Sequence, residues 1–452
     1  MKHLSNALRG RAGLLLALGV AAGMLSGCSG VPSGHKTAEE IDLGDSAFLM
    51  VSAALVMLMT PALALFYGGL VRARNVLSVV MHSFIAIGII TVLWVLVGYS
   101  LAFSPSVLKI GGAGLLGGLD WVGVRAVGMT PSETYAGTVP HRLFMIYQCM
   151  FAIITPALIS GAFAERMKFK TYVAFIILWS LLVYCPVAHW VWSGEGWLLK
   201  LGALDFAGGT VVHITSGFTA LLCALMIKPR RGFPHQPFIP HNLVLTVFGA
   251  GLLWFGWFGF NAGSALGSGQ VAIVAFVSTH CAAAAGAVAW MLVDWIFKDK
   301  PTLLGAASGA VAGLVAVTPA AGFVGPLSGI VIGLVAGVVC SYACTWRARR
   351  GIDDALDAFG VHGVGGTIGA VMTGVCASPF LNAAVTNPGL LHGGVKLLVL
   401  QVIAIVATVA YTLIVSFVIL KALDLTMGLR VTTEEEQMGL DLTQHGESAY
   451  TS

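Results

Sequence analysis

The run Asp205-Phe206-Ala207-Gly208-Gly209-Thr210-Val211-Val212-His213 has a counterpart later in the chain, Asp357-Ala358-Phe359-Gly360-Val361-His362-Gly363-Val364-Gly365-Gly366-Thr367. Each joins an acid, a glycine-rich stretch and a histidine at the opening of a long apolar segment. Polar motifs repeated at the mouths of two apolar segments point to a chain built from two related halves.

Working outward, apolar stretches of about 20 residues, the length that crosses a bilayer, fall at 46–70, 76–103, 142–164, 170–192, 206–227, 241–262, 271–296, 302–320, 325–346, 358–377 and 393–422, eleven in all. The first run opens the fifth span and its counterpart opens the tenth. Five spans per half is an odd number, so the second half must enter the membrane inverted relative to the first. The expected fold is therefore an all-α polytopic membrane protein of eleven transmembrane helices, arranged as two inverted five-helix repeats plus a final helix. In transporters built this way the site lies between the halves.

Composition agrees. Of 452 residues, 57% are hydrophobic and 10% charged, with a mean hydropathy of +0.90, whereas roughly a quarter of a soluble domain is charged. A formal net charge of +4 leaves no nucleic-acid footprint. The 8 cysteines form no C-x-x-C pair and fall mostly within apolar segments, as small membrane-core residues do. No metal site and no cofactor are expected.

Lys2, Arg9 and Arg11 precede a short apolar run from Leu14 to Leu25, the pattern of a bacterial export signal. It ends in Leu25-Ser26-Gly27-Cys28, which resembles a lipobox; lipidation of Cys28 and ordinary cleavage nearby both fit. The chain then divides into a signal peptide (1–28), an exported linker (29–45), a membrane domain (46–422) and a cytoplasmic tail (423–452). Alternate loops carry thirteen basic residues, from Arg72 and Arg74 to Arg347, Arg349 and Arg350, and the intervening loops five. The positive-inside rule places the start of the first span outside and the tail inside. An export signal requires the same topology, in a bacterial inner membrane and surrounded by its lipid.

With about 1.5 Å of rise per residue, His213 lies about 12 Å inward of Asp205 and His362 about 7.5 Å inward of Asp357, so the two imidazoles can meet near midplane. A lone membrane histidine is ordinarily satisfied by a neighbouring helix; two placed symmetrically suit a neutral pair sharing one proton and lining a narrow polar thread. His82, His189 and His280 have no counterpart and receive no role. Asp205 sits where an N-cap belongs; Asp353, Asp354 and Asp357 read as solvated or capping residues. Tyr147, Phe151, Trp192, Trp257 and Phe260 lie on segments that also carry Gln148, Asn261 and Ser264. Singly they are interface aromatics; together they could face a small cation through cation–π attraction, with a serine oxygen as acceptor.

These residues carry a specific resemblance. The runs Ala64-Leu65-Phe66-Tyr67-Gly68-Gly69-Leu70, Gly202 to His213, Trp257-Phe258-Gly259-Phe260-Asn261-Ala262-Gly263-Ser264 and Phe359-Gly360-Val361-His362-Gly363 resemble those of the ammonium transporter family, relatives of the Rh proteins. The resemblance extends from about residue 46 to the C-terminus. It implies a homotrimer with one pore per subunit, and a recruitment site for ammonium, and for methylammonium, at Trp192, Phe151, Tyr147 and Ser264. Asp205 would support that site. Phe151 and Phe260 match a stacked gate, and His213 and His362 the twin histidines of an apolar pore. Trp257, Tyr184 and Thr318 match pore-side positions. Tyr147 departs from the phenylalanine associated with bacterial members, and its hydroxyl is expected to alter cation affinity more than fold.

The function implied is that of an ammonium transporter, not an enzyme, which recruits NH4+, deprotonates it and conducts NH3. The tail, with Glu434-Glu435-Glu436 and His445 to Tyr450, is a polar run with little capacity to form a core. The resemblance makes it a regulatory tail that touches neighbouring subunits and a PII-type signal protein of nitrogen regulation. Two rivals stand beside transport. A haem protein or membrane enzyme could use two buried histidines, but no paired-acid or serine–lysine constellation is present to do hydrolysis. A sensor that binds ammonium without moving it would share the recruitment site.

Overall fold

Ten helices within residues 41–450, the part that the computed structural model describes, are long and apolar enough to cross a bilayer: α1 (Leu43–Leu70), α2 (Ala73–Phe103), α3 (His141–Phe163), α4 (Phe169–Trp192), α5 (Gly209–Ile227), α6 (Leu243–Ala265), α7 (Gln270–Lys298), α9 (Pro326–Arg349), α10 (Phe359–Cys376) and α11 (Lys396–Thr426). A shorter apolar helix, α8 (Leu303–Val317), completes the expected set of spans. The export signal and lipobox lie outside the described residues. Span limits agree with the hydropathy reading to within a few residues. The largest shortfall is α8, which stops early because Ala320 and Phe323 close tight turns onto the carbonyls of Val317 and Ala320.

Helices form here because hydrocarbon offers no partner for a backbone amide, so each span satisfies its own. Their assembly rests on small residues. α6 lies along α1, α7 along α8 and α9, and the start of α10 along α5. At the last crossing a Cβ on Gly217 would collide with the backbone nitrogen of Gly363, so only glycine lets α5 and α10 approach this closely. Phe248, Phe255, Ile273, Ile296, Val406 and Phe417 are exposed on the outside of the bundle, an apolar belt suited to lipid.

Four of the spans contain a wide, π-helical turn: Trp94–Gly98, Ser180–Tyr184, Gly209–Ile214 and Phe359–Gly363. Two of these open α5 and α10 and carry His213 and His362. The His213 amide bonds the carbonyl of Gly208, five residues back, at 3.1 Å. Hydropathy cannot register such an extra residue in a turn, and the sequence-based rise of an ordinary helix from Asp205 does not apply. Gly208 holds φ at 110° to enter the turn.

The connection from α2 to α3 folds into two hairpins. β1 (Ser106–Ile110) pairs with β2 (Ala113–Gly117), and β3 (Pro131–Ser132) with β4 (Ala136–Pro140), both antiparallel. The first turns at Gly111 and Gly112, whose φ values of 58° and 82° suit glycine. These hairpins mark one end of the bundle.

The other end is basic, and its charges are paired. Glu165 accepts the Arg72 amide (2.8 Å) and guanidinium (2.7 and 2.9 Å). Asp353 accepts the Arg230 amide at 2.7 Å and its guanidinium at 2.8 and 2.9 Å. Arg166 is fully buried and donates to the carbonyls of Ala162, Ala164, Lys228 and Asp353, several of them orphaned by the end of α3. Of the two expectations for Asp353 and Asp354, solvated or capping, the solvated one is thereby corrected, since both are 1% exposed and face arginines, while Asp354 caps the start of α10.

The tail is not a free solvated run. Its backbone bonds Arg166 and Lys168 through Val431 and Leu429, each at 3.0 Å. A six-residue helix, α12 (Thr433–Met438), is capped by Thr432 and Glu435, and Glu436 binds Arg430 at 2.7 Å. Beyond it the Leu440 amide donates to Asn75 Oδ1 and the Ser78 amide to Asp441 Oδ1, both at 2.8 Å. A polar segment without a core of its own is thus held by amides and carbonyls that the helix ends leave unpaired.

Removing the Asp441 carboxylate should loosen this dock. Losing one capping bond costs about 1 kcal/mol, so Asp441→Ala should speed tryptic cleavage of the 421–430 region roughly five-fold. Unchanged cleavage would show that Asp441 does not hold the tail.

The arginine pairs also set an acid limit. Burial raises the pKa of Glu165, but Arg230 and Arg72 outweigh it and hold the carboxyl below its ordinary value of 4.5. Burial likewise raises Asp353, and Arg230 and Arg166 hold it below 3.8. Folded-state pKa values below the unfolded ones mean stability that is present above those ordinary values and lost as pH falls through the folded ones. Thermal stability in detergent should therefore fall on acidification below pH 4.5; Glu165→Gln should unfold earlier at neutral pH and show a smaller acid-induced drop.

Candidate functional site

Three cavities line up along the space between the two halves. At the hairpin end a vestibule of about 130 Å³ is lined by Phe151, Trp192, Ser264, Gln148 and Tyr135, among others. Below it a cavity of only about 10 Å³ is enclosed by Leu63, Ile154, Leu158, Leu253, Phe260 and the two histidines, among others. It lies at the threshold for holding a single water. His362, Phe66 and Val311 then border a vestibule of about 340 Å³ at the basic end.

Each side chain of the upper vestibule is placed by a bond elsewhere. Trp192 ends α4, and its indole N–H donates to the backbone carbonyl of Asp205 at 3.0 Å, which leaves its ring to the cavity. Ser264, in the last turn of α6, donates to the Phe260 carbonyl at 2.9 Å, which leaves its oxygen lone pairs to accept. The Phe151 ring stands 5.8 Å from Trp192 and 4.4 Å from Phe260. Because Phe151 lines the upper cavity and Phe260 the lower, this pair is the partition between them.

Below the partition His213 and His362 meet. Their Nδ1 atoms are 3.2 Å apart and their rings, 5.3 Å apart, are inclined by 23°. One N–H serves this contact, so one ring donates from Nδ1 and the other accepts there. The Nε2 atoms then carry opposite characters, a lone pair on the donor ring and a proton on the acceptor ring. No described residue bonds His213 Nε2. The two characters exchange when a proton is gained at the Nε2 of the donor ring, the shared proton crosses between the Nδ1 atoms and a proton leaves the Nε2 of the acceptor ring, the arrangement that a proton relay requires.

Trp257 lies against His213, with ring centroids 5.5 Å apart, and lines the narrow cavity. Thr318 stands behind it and accepts the Trp257 N–H at 2.9 Å; it holds the aromatic wall and does not line the cavity. Tyr184 is buried with its ring 6.2 Å from Trp94 and does not border any of the three cavities.

Asp205 does not offer a free carboxylate. Its Oδ1 accepts the amides of Gly208 (2.9 Å) and Gly209 (2.7 Å), and its Oδ2 those of Thr210 (2.8 Å) and Val211 (3.2 Å). These amides lead into the turn that carries His213. The matching acid in the second half is Asp354, which accepts the amides of Ala358 (3.1 Å) and Phe359 (2.8 Å). Asp357, paired with Asp205 on sequence grounds, is a correction: it sits at φ 58° and binds Arg347 at 2.5 Å. Asp354 was not singled out because it lies one residue further from its helix than Asp205 does.

The Tyr147 hydroxyl, expected to act on a cation, is turned away from the vestibule. It donates to the carbonyls of Gly259 (2.9 Å) and Phe260 (3.0 Å), with Ser264 Oγ at 3.3 Å. These carbonyls lie near the end of α6, where that of Gly259 also accepts the Gly263 amide, and the hydroxyl ties α3 to α6. The ring packs on Phe151 at 5.0 Å.

Residues 47–450 match the model of the Ammonium Transporter Family. The chain is 53% identical over 411 residues to a Bacillus subtilis (strain 168) protein named ammonium transporter, covering 91% of this chain and 99% of the relative. The crystal structure of Saccharomyces cerevisiae Mep2 superposes with a TM-score of 0.81 at 38% identity, covering 88% of this chain and 89% of that one. A structure titled Sensor Amt Protein gives a TM-score of 0.80 at 27% identity, covering 89% and 98%.

Four amides resting on one carboxylate make Asp205 a strong cap. Asp205→Ala should destabilise the protein by about 2–4 kcal/mol, and Asp205→Asn, which keeps one acceptor oxygen, by about half as much. Thermal unfolding in detergent measures both. A loss no larger than that of Glu434→Gln, on the exposed side of the tail, would remove the capping role.

Proposed function

Because the chain belongs to the ammonium transporter family, we propose that it takes up ammonium at the hairpin end, releases a proton there and conducts ammonia past the histidine pair. The observation that carries this reading is the order of the three cavities: aromatic vestibule, nearly closed apolar passage with two bonded imidazoles, open basic vestibule.

Trp192 and Phe151 offer ring faces to a small cation, and Ser264 offers an oxygen. Asp205 holds Trp192 and the entry turn in place without touching the cation, and Tyr147 holds Phe151 from behind. Stripping water from NH4+ in a passage this small and apolar costs many kcal/mol, while neutral NH3 loses little. The substrate therefore divides: NH4+ yields NH3 and a proton. NH3 slips past the Phe151–Phe260 partition as the rings swing, and the proton travels through His213 and His362. The two recombine in the basic vestibule. Potassium has no proton to lose and would have to enter charged, so its exclusion follows from the same penalty.

The excess of basic loops supports placing that vestibule in the cytoplasm of a bacterial inner membrane, with the start of α1 outside. A homotrimer with one pore per subunit fits the apolar outer belt, and a PII-type protein fits the exit beside the docked tail. The likeness to the Sensor Amt Protein supports a second reading, in which ammonium is bound without flux.

Proteoliposomes pulsed with ammonium or potassium separate these possibilities. Wild-type protein should give a sustained ammonium current and none with potassium. His213→Ala combined with His362→Ala should abolish that current or admit potassium. A double variant that keeps both full current and selectivity would remove the relay, and wild-type protein with neither current nor internal alkalinisation would leave the sensor reading.

A further inference from the structure

We propose that Gln148 supplies a second hydrogen-bond acceptor to the ammonium ion in the vestibule, a proposal that rests on the transport reading above. Gln148 lies on α3 one turn before Phe151, on the same face of the helix, and both line the vestibule with Trp192 and Ser264. Its side chain is nine-tenths buried, and no described residue donates to its Oε1.

A buried amide carbonyl without a donor is costly, and this oxygen, itself enclosed, belongs to a wall in which two neighbouring polar groups are engaged. The Trp192 N–H is bound to Asp205 and the Tyr135 hydroxyl to the Phe103 carbonyl. Ammonium is the complement of this wall. It carries four N–H donors in tetrahedral array, whereas the ring faces attract its charge without direction. Ser264 Oγ receives one N–H from the α6 side, and the Gln148 carbonyl receives another from α3. The terminal amide torsion is soft and roughly two-fold, so the oxygen turns toward the ion without moving the helix.

The test compares ammonium currents in proteoliposomes of wild type, Gln148→Met, which matches length without the acceptor, and Gln148→Glu, which keeps an acceptor oxygen. Half-saturating ammonium should rise about ten-fold in Gln148→Met, equivalent to about 1.4 kcal/mol, with maximal current within about two-fold. Gln148→Glu should stay within about three-fold of wild type. Wild-type half-saturation in Gln148→Met, or equal shifts in both variants, would overturn the proposal. So would failure of both Gln148→Met and Gln148→Leu to fold, which would assign the amide to packing. Absence of current in the wild type is a different failure, that of the transport reading; the same variants compared by ammonium-induced thermal stabilisation would then decide the proposal by the same criterion.

Discussion

The contact between the Asp205 carboxylate and the amides of residues 208–211 is the point on which the site depends. A chain in hydrocarbon must satisfy its own backbone, yet α5 opens with a glycine at φ 110° and a wide turn that leaves amides unpaired. One acid answers all of them. With its side chain so engaged, the same residue uses its main-chain carbonyl to orient Trp192. The helix start that carries His213 and the aromatic wall of the vestibule are therefore fixed by a single residue that need not touch the substrate. Asp354 does the corresponding work for His362 with two amides, and the histidines meet because both helix starts are pinned.

The basic end is organised on the same rule with opposite sign. There the unpaired groups are carbonyls at helix ends, and buried arginines satisfy them. Arg166 collects carbonyls from α3, from the residue after α5 and from the segment before α10. Its own carbonyl receives the tail amide of Val431, while Arg230 joins Asp353 to Glu165 and borders the lower vestibule. The tail thus rests on the ion pairs beside the basic vestibule, so a disturbance of either reaches the other through direct contacts.

Between these ends the passage is narrow because its walls are made by large side chains from both halves. Its contents are decided by desolvation. In the proposed mechanism an apolar space at the threshold of one water discriminates by charge without any ligand of high affinity; the polar exception is the histidine pair, joined through Nδ1.

Much of this was legible in the sequence. Charge is too scarce and apolar runs too long for anything but a bundle of spans, and the alternation of basic loops and the twin acid-to-histidine runs follow from residue identity alone. Hydropathy reports which residues avoid water, and that determines the number of spans, their approximate limits and the pairing of the halves. It carries no information about what the backbone groups at the end of a span bond to. The wide turns at His213 and His362, the choice of Asp354 over Asp357, the Tyr147 hydroxyl bound to carbonyls of α6 and the docking of a polar tail all depend on such groups. Each joins residues distant in the chain or shifts a register by a single residue. The sequence by itself determined that two histidines would lie inside a membrane bundle; only the tertiary structure decided that they bond each other, because a contact of 3.2 Å depends on where two separate helix starts are anchored.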